Sequence, residues 1–255
     1  MRAARVRALL QGDRVDIDSS EAVLGYRLRQ HHVGVVCWVE APDAGSVTLG
    51  RLEHATAALP GHAGRPLFLP QDECTAWAWL PLGGRDTFTV APERAGVAEP
   101  QPRIRFAFGA VGSGLAGFRR THQQALGAQA VGLAAGRAGP ATTSFPEVAP
   151  LALMSGSIAL LRAWVVESLG RLADDDEQAG TLRDTLRVFL HENGSFKTTA
   201  ELLTLHKNTV QYRVRKAEEG LGHPVAENRL HVELALLATH WLGAAVLRQP
   251  GDPRR

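Results

Sequence analysis

Hydrophobic and polar positions follow different periods in the two halves of the chain. In the first half, short apolar runs that predict β-strands occupy residues 31–40, 65–84 and 103–111. Trp77 and Trp79 alternate with alanines, which is typical of a strand with one bulky face. The run at 65–84 is interrupted at Pro70–Glu73, and we expect a hairpin there. Apolar residues at helical spacing predict helices over 46–59 and 115–134, so the first half is predicted to mix strands with helices.

The second half shows only helical spacing. Residues 135–150 are rich in glycine, proline, serine and threonine, and no strand pattern follows them. We therefore predict an α+β protein in which an α/β domain precedes an all-α domain. The predicted organisation is an N-terminal segment (1–20), an α/β domain (21–137), a linker (138–150), a connecting helix (151–180), an all-α domain (181–247) and a tail (248–255).

Composition narrows the class of protein. The formal net charge is only +2 over 255 residues, so a nucleic-acid-binding surface has to be local. The sequence holds no apolar run of membrane-spanning length and no apolar core of a secretory signal. Cys37 and Cys74 form no C-x-x-C pair, and the ten histidines lack metal-ligand spacing. We expect a cytoplasmic protein with neither a membrane span nor a metal site.

Residues 182–222 carry the clearest candidate chemistry. A first helix with apolar residues on one face ends at Gly194. Either Ser195 or Thr198 can cap a short second helix, and Thr198 has the capping-box partner Glu201. A tight turn near Leu203 leads into a third helix. Three short helices joined by brief turns predict a helix-turn-helix.

The third helix sorts its side chains between two faces. At about 100° per residue, an inward face collects Val210, Val214, Ala217 and Leu221. Asn208, Tyr212 and Arg215 fall opposite, with Gln211, Thr209 and Lys216 on the flanks. Arg213 lies nearer the core side, where it can pack or pair instead of contacting bases. The predicted DNA-binding residues are Lys207, Asn208, Thr209, Gln211, Tyr212, Arg213, Arg215 and Lys216.

The charge pattern alone does not decide between a DNA-binding helix and an ordinary solvated one. Lysine and arginine are common on exposed helix faces. No acidic residue occurs from Leu202 to Ala217, however, whereas Glu218 and Glu219 follow directly. This asymmetry favours a recognition helix whose N-terminal half enters the major groove. One such module offers few contacts, so we expect a homodimer that binds two half-sites of double-stranded DNA.

The run HKNTVQYRVRKAEEGLG resembles the C-terminal helix-turn-helix of PucR/CdaR-type transcriptional regulators. The similarity spans about 181–242 and is most specific at His206–Val210 and at Tyr212 and Arg213. Upstream, LGYRL, VGVVCWVE, TAWAWLPL and GLAGFRRTHQQAL resemble segments of that family's GGDEF-like domain. The resemblance implies a DNA-binding regulator whose first domain regulates or dimerises. Residues 1–20 are too short for a further sensor domain, so we expect a minimal or a truncated member.

A GGDEF-like domain raises the alternative of a nucleotide-binding or nucleotide-cyclase-like enzyme. The resemblance places Pro70-Gln71-Asp72-Glu73-Cys74 where active cyclases carry their Gly-Gly hairpin, so both glycines are lost. Near the end of the first strand, Glu40 and Asp43 lie at the wrong spacing for the expected metal ligand. We therefore predict a non-catalytic domain. An unidentified small-molecule effector stays open.

Gly112, Gly114 and Gly117 spell the G-x-G-x-x-G of dinucleotide-binding proteins. That fingerprint needs a β-α-β unit and an acidic residue about twenty positions later. No aspartate or glutamate occurs from Gly117 through Phe145, and the segment after the helix shows no clear strand. We therefore predict that these glycines serve architecture and that no cofactor is bound.

Overall fold

The computed structural model describes residues 1–13, 15–39, 49–89, 104–154 and 156–248, apart from the side chain of Ala138. The strands are β1 (His31–Val39), β2 (Leu67–Pro70), β3 (Thr75–Gly83), β4 (Ile104–Phe108), β5 (Gly112–Ser113) and β6 (Thr142–Ser144). The helices are α1 (Arg2–Gln11), α2 (Ile17–Leu24), α3 (Leu49–Ala57), α4 (Gly114–Ala134), α5 (Phe145–Met154), α6 (Ile158–Leu169), α7 (Glu177–His191), α8 (Phe196–Leu202), α9 (Lys207–Leu221) and α10 (Arg229–Leu242). Short 3₁₀ turns occupy Gly136–Ala138, Gly170–Ala173, Val225–Glu227 and Gly243–Ala245.

The chain divides into two compact units. Unit 1 comprises Met1–Leu133 with Pro140–Ala152, and unit 2 comprises Ala134–Gly139 with Leu153–Arg255. Unit 1 holds all the described strands, and unit 2 is helical. The predicted order of a mixed α/β region before an all-α region is confirmed.

A single sheet organises unit 1. Its strand order is β2-β3-β1-β4-β6, with β5 added to the end of β1. The predicted hairpin is formed by β2 and β3, which pair antiparallel from Leu67 opposite Trp79 to Pro70 opposite Ala76. β1 is central and buried along nearly its whole length, because helices cover the sheet and β3 and β4 flank it. The apolar run at 31–40 therefore predicted a strand correctly as far as Val39, and residue 40 lies outside the described residues.

The N-terminal segment belongs to unit 1. Val6 and Leu9 of α1 are fully buried in the same cluster as Trp79 of β3 and Phe118 of α4. The rings of Trp79 and Phe118 stack with centroids 4.2 Å apart, and the Trp79 indole donates to the Phe118 carbonyl at 3.0 Å. The predicted boundary at residue 20 therefore does not separate the segment from the core. Arginines alternate with the apolar residues of α1 in the sequence, so the buried face of this helix was not predicted.

The predicted linker at 138–150 is corrected by the structure. Thr142–Ser144 form β6, which pairs parallel with β4 from Phe106 opposite Thr142 to Phe108 opposite Ser144. α5 follows immediately, with Pro146 in its first turn, where a missing N–H costs nothing. The strand escaped prediction because three short polar residues show no apolar alternation.

The predicted connecting helix over 151–180 is also corrected. α5 ends at Met154, and α6 begins after Ser157, whose hydroxyl accepts from the Leu160 amide at 3.3 Å. A 3₁₀ turn follows α6, and Asp176 caps α7 by accepting from the Ala179 amide at 2.7 Å. The serine and aspartate caps divide the region into separate helices.

The three spaced glycines permit a close strand-to-helix contact. A Cβ atom on Gly117 of α4 would lie 2.3 Å from the carbonyl carbon of Gly112 in β5, so neither position has room for a side chain. Gly114 has φ +63°, in the left-handed region that favours glycine. The expectation of no following strand was wrong, since β4, α4 and β6 form a β-α-β unit. The close contact between β5 and α4 nevertheless requires glycine at positions 112 and 117.

Unit 2 is built around α7. α9 and α10 both pack on α7, while α8 packs on α9 and α6 packs on α10. Leu186 and Leu190 of α7 are buried, as the predicted apolar face requires. Within the described residues no single helix is long and apolar enough to cross a membrane, although α5 together with the stretch Ile158–Ala173 would pass such a test as a bent pair.

Candidate nucleic-acid interface

The turn between α7 and α8 is fixed by local contacts. Asn193 and Gly194 adopt positive φ angles of 52° and 81°, which ends α7. Ser195 caps α8, because its hydroxyl accepts from the Thr198 amide at 3.2 Å. Of the two capping residues that the sequence left open, the structure therefore uses Ser195. Phe196 in the first turn of α8 contacts Phe189 of α7, with ring centroids 4.6 Å apart.

A second tight turn sets the start of α9. Thr204 takes a left-handed φ of 53°, and the Leu205 amide donates to the Ala200 carbonyl at 2.8 Å. His206 is the N-cap of α9, and its Nδ1 accepts from the Asn208 amide at 3.3 Å. His206 belongs to the run that resembles the family, but its capping role was not predicted from the sequence. Histidine is not among the preferred capping residues, so composition gave no signal.

The predicted inward face of α9 is confirmed. Its four apolar residues are all buried in unit 2, namely Val210, Val214, Ala217 and Leu221. α9 packs with this face toward α7 and α8. The rotation of the helix is therefore fixed by the core, and the opposite face is turned to solvent.

The solvent face of α9 brings together five of the eight predicted residues. These exposed residues are Lys207, Asn208, Gln211, Tyr212 and Arg215. The Arg215 guanidinium lies 5.8 Å from the centre of the Tyr212 ring, within cation–π range. Thr209 is half-buried on the flank. The arrangement offers amide groups for adenine, a guanidinium for guanine and an aromatic face, all on one side of one helix.

Arg213 and Lys216 are placed differently from the other six. Arg213 is half-buried, and its Nη1 donates to the Thr185 hydroxyl of α7 at 3.3 Å. Lys216 donates to Glu219 at 2.6 Å. This hydrogen bond, with the charges of Lys216 and Arg215, holds the pKa of Glu219 below its usual value. The contact of Arg213 fits its expected position nearer the core side, where it can pack or pair, whereas the acidic partner of Lys216 was not expected.

Acidic residues from two parts of unit 2 meet at the C-terminal end of α9. Besides Glu218 and Glu219 of the helix, Asp174 and Asp176 from the segment just before α7 line a cavity of about 220 Å³ there. Asp174 is itself paired with Arg248. The approach of these acids was not visible in sequence, because they lie some forty residues upstream. Arg171 and Lys216 line the same cavity, so acidic and basic groups are mixed at this end of α9.

The hairpin of unit 1 uses its polar groups in its own turn. The amides of Gln71 and Asp72 donate to the Thr75 carbonyl at 2.9 and 3.3 Å, and the Asp72 carboxylate accepts from the Cys74 amide at 2.7 Å. Glu40 and Asp43 lie outside the described residues. Among the residues that the structure describes, no group of three or more histidine, cysteine, aspartate or glutamate side chains could hold a metal ion.

Fold and site together define a helix-turn-helix protein that carries a mixed α/β domain in front of its DNA-binding module. Two family models match the chain in that order. A GGDEF-like domain matches residues 10–131, and the PucR C-terminal helix-turn-helix domain matches residues 182–238. The chain therefore belongs to the PucR-type family of regulators, and its GGDEF-like domain is a divergent one.

Three curated proteins are similar to part of the chain. An uncharacterized protein in the pkwA 5′ region of Thermomonospora curvata is 41% identical over 70 residues, which are 27% of this chain and 39% of that protein. The transcriptional activator PmfR of Paenarthrobacter nicotinovorans is 33% identical over 93 residues, 36% of this chain and 18% of its own. The purine catabolism regulatory protein of Bacillus subtilis is 35% identical over 78 residues, 30% of this chain and 15% of its own.

The chain thus covers well under half the length of each of these relatives. A solved structure, that of a regulator of polyketide synthase expression from Bifidobacterium adolescentis, is similar over 93% of this chain and 91% of its own. Its sequence identity to the chain is 19%, with a TM-score of 0.41.

Proposed function

We propose that this protein is a sequence-specific DNA-binding transcriptional regulator in the cytoplasm. The observation that carries the proposal is the outward face of α9, where Lys207, Asn208, Gln211, Tyr212 and Arg215 are all exposed. Two relatives that share part of the sequence are named as a transcriptional activator and as a regulatory protein. The family and the local chemistry therefore support the same activity.

Each outward residue of α9 has a role that follows from its chemistry. Asn208 and Gln211 can each form two hydrogen bonds to adenine, and Arg215 can do so with guanine. Lys207, in the first turn, suits a phosphate contact. Arg213 acts as a positioning residue, because its bond to Thr185 ties α9 to α7.

The GGDEF-like domain is proposed to regulate or dimerise without catalysis. Its hairpin carries Pro70 and Gln71 where an active cyclase needs glycine, and Asp72 is engaged within the turn. Calorimetry with GTP tests this assignment. Turnover of GTP would favour the alternative of a nucleotide-cyclase-like enzyme, and no turnover supports a regulatory domain.

The DNA-binding proposal is tested by fluorescence anisotropy on labelled duplexes over a range of salt concentrations. We expect binding that weakens with salt, with a slope of about 0.9 in log K per phosphate contact. The Arg215→Ala variant should bind more weakly than Arg85→Ala, which removes an exposed arginine of unit 1 and serves as control. Absence of binding at low salt, or equal loss in both variants, would contradict the proposal.

A further inference from the structure

Three strands of unit 1 end at the same edge of the sheet. β1 pairs antiparallel with both β3 and β4, and β4 pairs parallel with β6. β3, β4 and β6 therefore run in one direction, and they end at Gly83, Phe108 and Ser144. In open sheets with parallel strands, ligands bind in the crevice beyond the carboxyl ends of those strands.

An open cavity of about 380 Å³ lies at this edge of the sheet. Its lining comes from all three strand ends, namely residues 86–89 after β3, residues 108–111 at the end of β4, and Ser144 with Pro146 at the end of β6. The volume falls within the range of about 300–1,000 Å³ that small-molecule sites occupy.

The cavity is distinct from the position where a cyclase would hold its nucleotide. The resemblance to active cyclases places that position at the hairpin turn of residues 70–74, at the start of β3. β3 runs for nine residues, about 30 Å, before it ends near the cavity. The two places therefore lie at opposite edges of the sheet.

Contacts within unit 1 fix the walls of the cavity before any ligand binds. The Gly109 amide donates to a carbonyl of β1 at 2.9 Å, and the Ala110 amide donates to the Gln124 side chain of α4 at 3.0 Å. Phe88 packs in a core cluster with the fully buried Phe108, and their ring centroids lie 5.8 Å apart. A site that is already formed loses less free energy to ordering when it binds a ligand.

The lining combines two aromatic rings with one carboxylate. Phe88 and Phe108 supply the rings, and Asp86 supplies the carboxylate. Three hydroxyls complete the polar part of the lining, those of Thr87, Thr89 and Ser144. In the part of the chain that the structure describes, these four polar side chains make no hydrogen bond to the protein. Their hydrogen-bonding capacity is therefore open to a ligand.

We propose that this cavity binds a small aromatic molecule that carries a protonated amine. The ring packs against Phe88 and Phe108, and the ammonium group pairs with Asp86 and donates to the neighbouring hydroxyls. Among the described residues that line the cavity, none is a lysine, arginine or histidine. A phosphate or carboxylate would meet the charge of Asp86 without a compensating cation, so nucleotides and organic acids are disfavoured.

Benzylamine is the probe for this site, and three molecules of similar size and shape are its controls. Benzyl alcohol removes the charge, benzoate reverses it, and cyclohexylmethylamine keeps the charge without the aromatic ring. Methyl NMR of Val111, which lines the cavity, follows their binding to the full chain. We expect benzylamine to bind with a Kd of about 1 mM, as befits eight non-hydrogen atoms.

The comparison of the four molecules decides whether the lining selects this class. Benzylamine should bind about threefold or more tightly than each control, because each control loses either the ion pair or the aromatic contact. Equal binding of all four molecules would overturn the inference. No shift of the Val111 methyl signals at about 20 mM benzylamine would overturn it as well.

Variants of exposed residues separate a built site from a general affinity for cations. Asp86→Asn should weaken benzylamine binding about threefold and leave benzyl alcohol binding unchanged, which also shows that the cavity is intact. Asp13→Asn removes an exposed carboxylate of unit 1 outside the cavity and should change neither. Thr87→Trp should obstruct the cavity and prevent binding of both molecules. Equal effects of Asp86→Asn and Asp13→Asn would contradict the inference.

DNA affinity in saturating benzylamine separates this inference from the proposed function, on which the role of the cavity as an effector site rests. A change in DNA affinity that Asp86→Asn diminishes would support that role. Binding of benzylamine with unchanged DNA affinity would uphold the ligand site and contradict its regulatory role. A chain that binds benzylamine but no DNA would uphold the ligand site and contradict the proposed function.

Discussion

Arg213 of α9 donates a hydrogen bond to the Thr185 hydroxyl of α7, across 3.3 Å and 28 positions of sequence. Two residues later Arg215 points away from the core and is paired loosely with Glu219 at 3.9 Å. Neighbouring arginines on one helix thus have opposite environments. This contrast separates residues that hold the recognition helix from residues that can contact DNA.

The two arginines are predicted to have separable effects. Arg215→Ala should weaken DNA binding by about 1–3 kcal/mol, since a base or phosphate contact is lost, with unchanged stability. Arg213→Ala should cost about 1 kcal/mol of stability in unit 2, because a tertiary hydrogen bond is removed. Hydrogen exchange of α7 and α9 peptides, beside anisotropy on duplex DNA, measures both quantities. A stability loss confined to Arg215→Ala would contradict the assignment.

Ser195 is predicted to stabilise the start of α8 more than Thr198 does. Ser195→Ala removes the hydroxyl that accepts from the Thr198 amide and should cost about 1 kcal/mol. Thr198→Ala removes only the hydroxyl contact at 2.8 Å and keeps the cap. The free energy of unfolding in denaturant, together with hydrogen exchange of α8 peptides, compares the two variants. A larger loss for Thr198→Ala would favour the capping box that the sequence also allowed.

Gly117→Ala is predicted to destabilise unit 1 by several kcal/mol, even though alanine favours helices. The new Cβ would lie 2.3 Å from the backbone of Gly112, and neither strand nor helix can shift without disturbing the core. Gly84→Ala is the matched control, since its Cβ would meet nothing within 4 Å. Chemical denaturation monitored in unit 1 checks the difference, and two equally stable variants would show that the contact is dispensable.

Stability of unit 1 is predicted to fall as the pH falls from about 6.5 to about 4. Burial lowers the pKa of His122 to about 4 and also lowers the pKa of His32. Below its ordinary pKa the unfolded chain takes up a proton that the folded chain refuses, so the loss begins near pH 6.5 and ends near pH 4. For His122 alone the effect is roughly 3 kcal/mol.

Denaturant midpoints for unit 1 across this pH range test the histidine effect. His122→Gln should flatten the dependence relative to the wild type, because glutamine does not titrate there. An unchanged slope in the variant would assign the effect to other groups.

The sequence predicted best the elements with strong apolar periodicity. The apolar run that begins at His31 predicts β1. The apolar residues from Val210 to Leu221 recur at helical spacing, and this spacing predicts which face of α9 is buried. β6 was missed, since Thr142–Ser144 are paired by backbone hydrogen bonds and carry no apolar signal. The docking of α1 was missed because Val6 and Leu9 stand among arginines.

The sequence predicted which helix face carries the candidate site, but not the distant residues that its side chains contact. Helical geometry placed Arg213 toward the core, but only tertiary packing brings Thr185 to it. Similarly, the acids Asp174 and Asp176 approach the end of α9 through the fold of α7, which no local pattern encodes. Contacts between residues distant in sequence are what the sequence alone does not supply.

Sequence-specific DNA binding by α9 can be tested by selecting duplexes from a random library with the full chain and comparing their affinity with that of scrambled duplexes of equal length. We predict one enriched motif of two related half-sites, bound at least about a thousandfold more tightly than the scrambled duplex at physiological salt. The preference should fall sharply for Arg215→Ala. Equal affinity for selected and scrambled duplexes would contradict sequence-specific binding by α9.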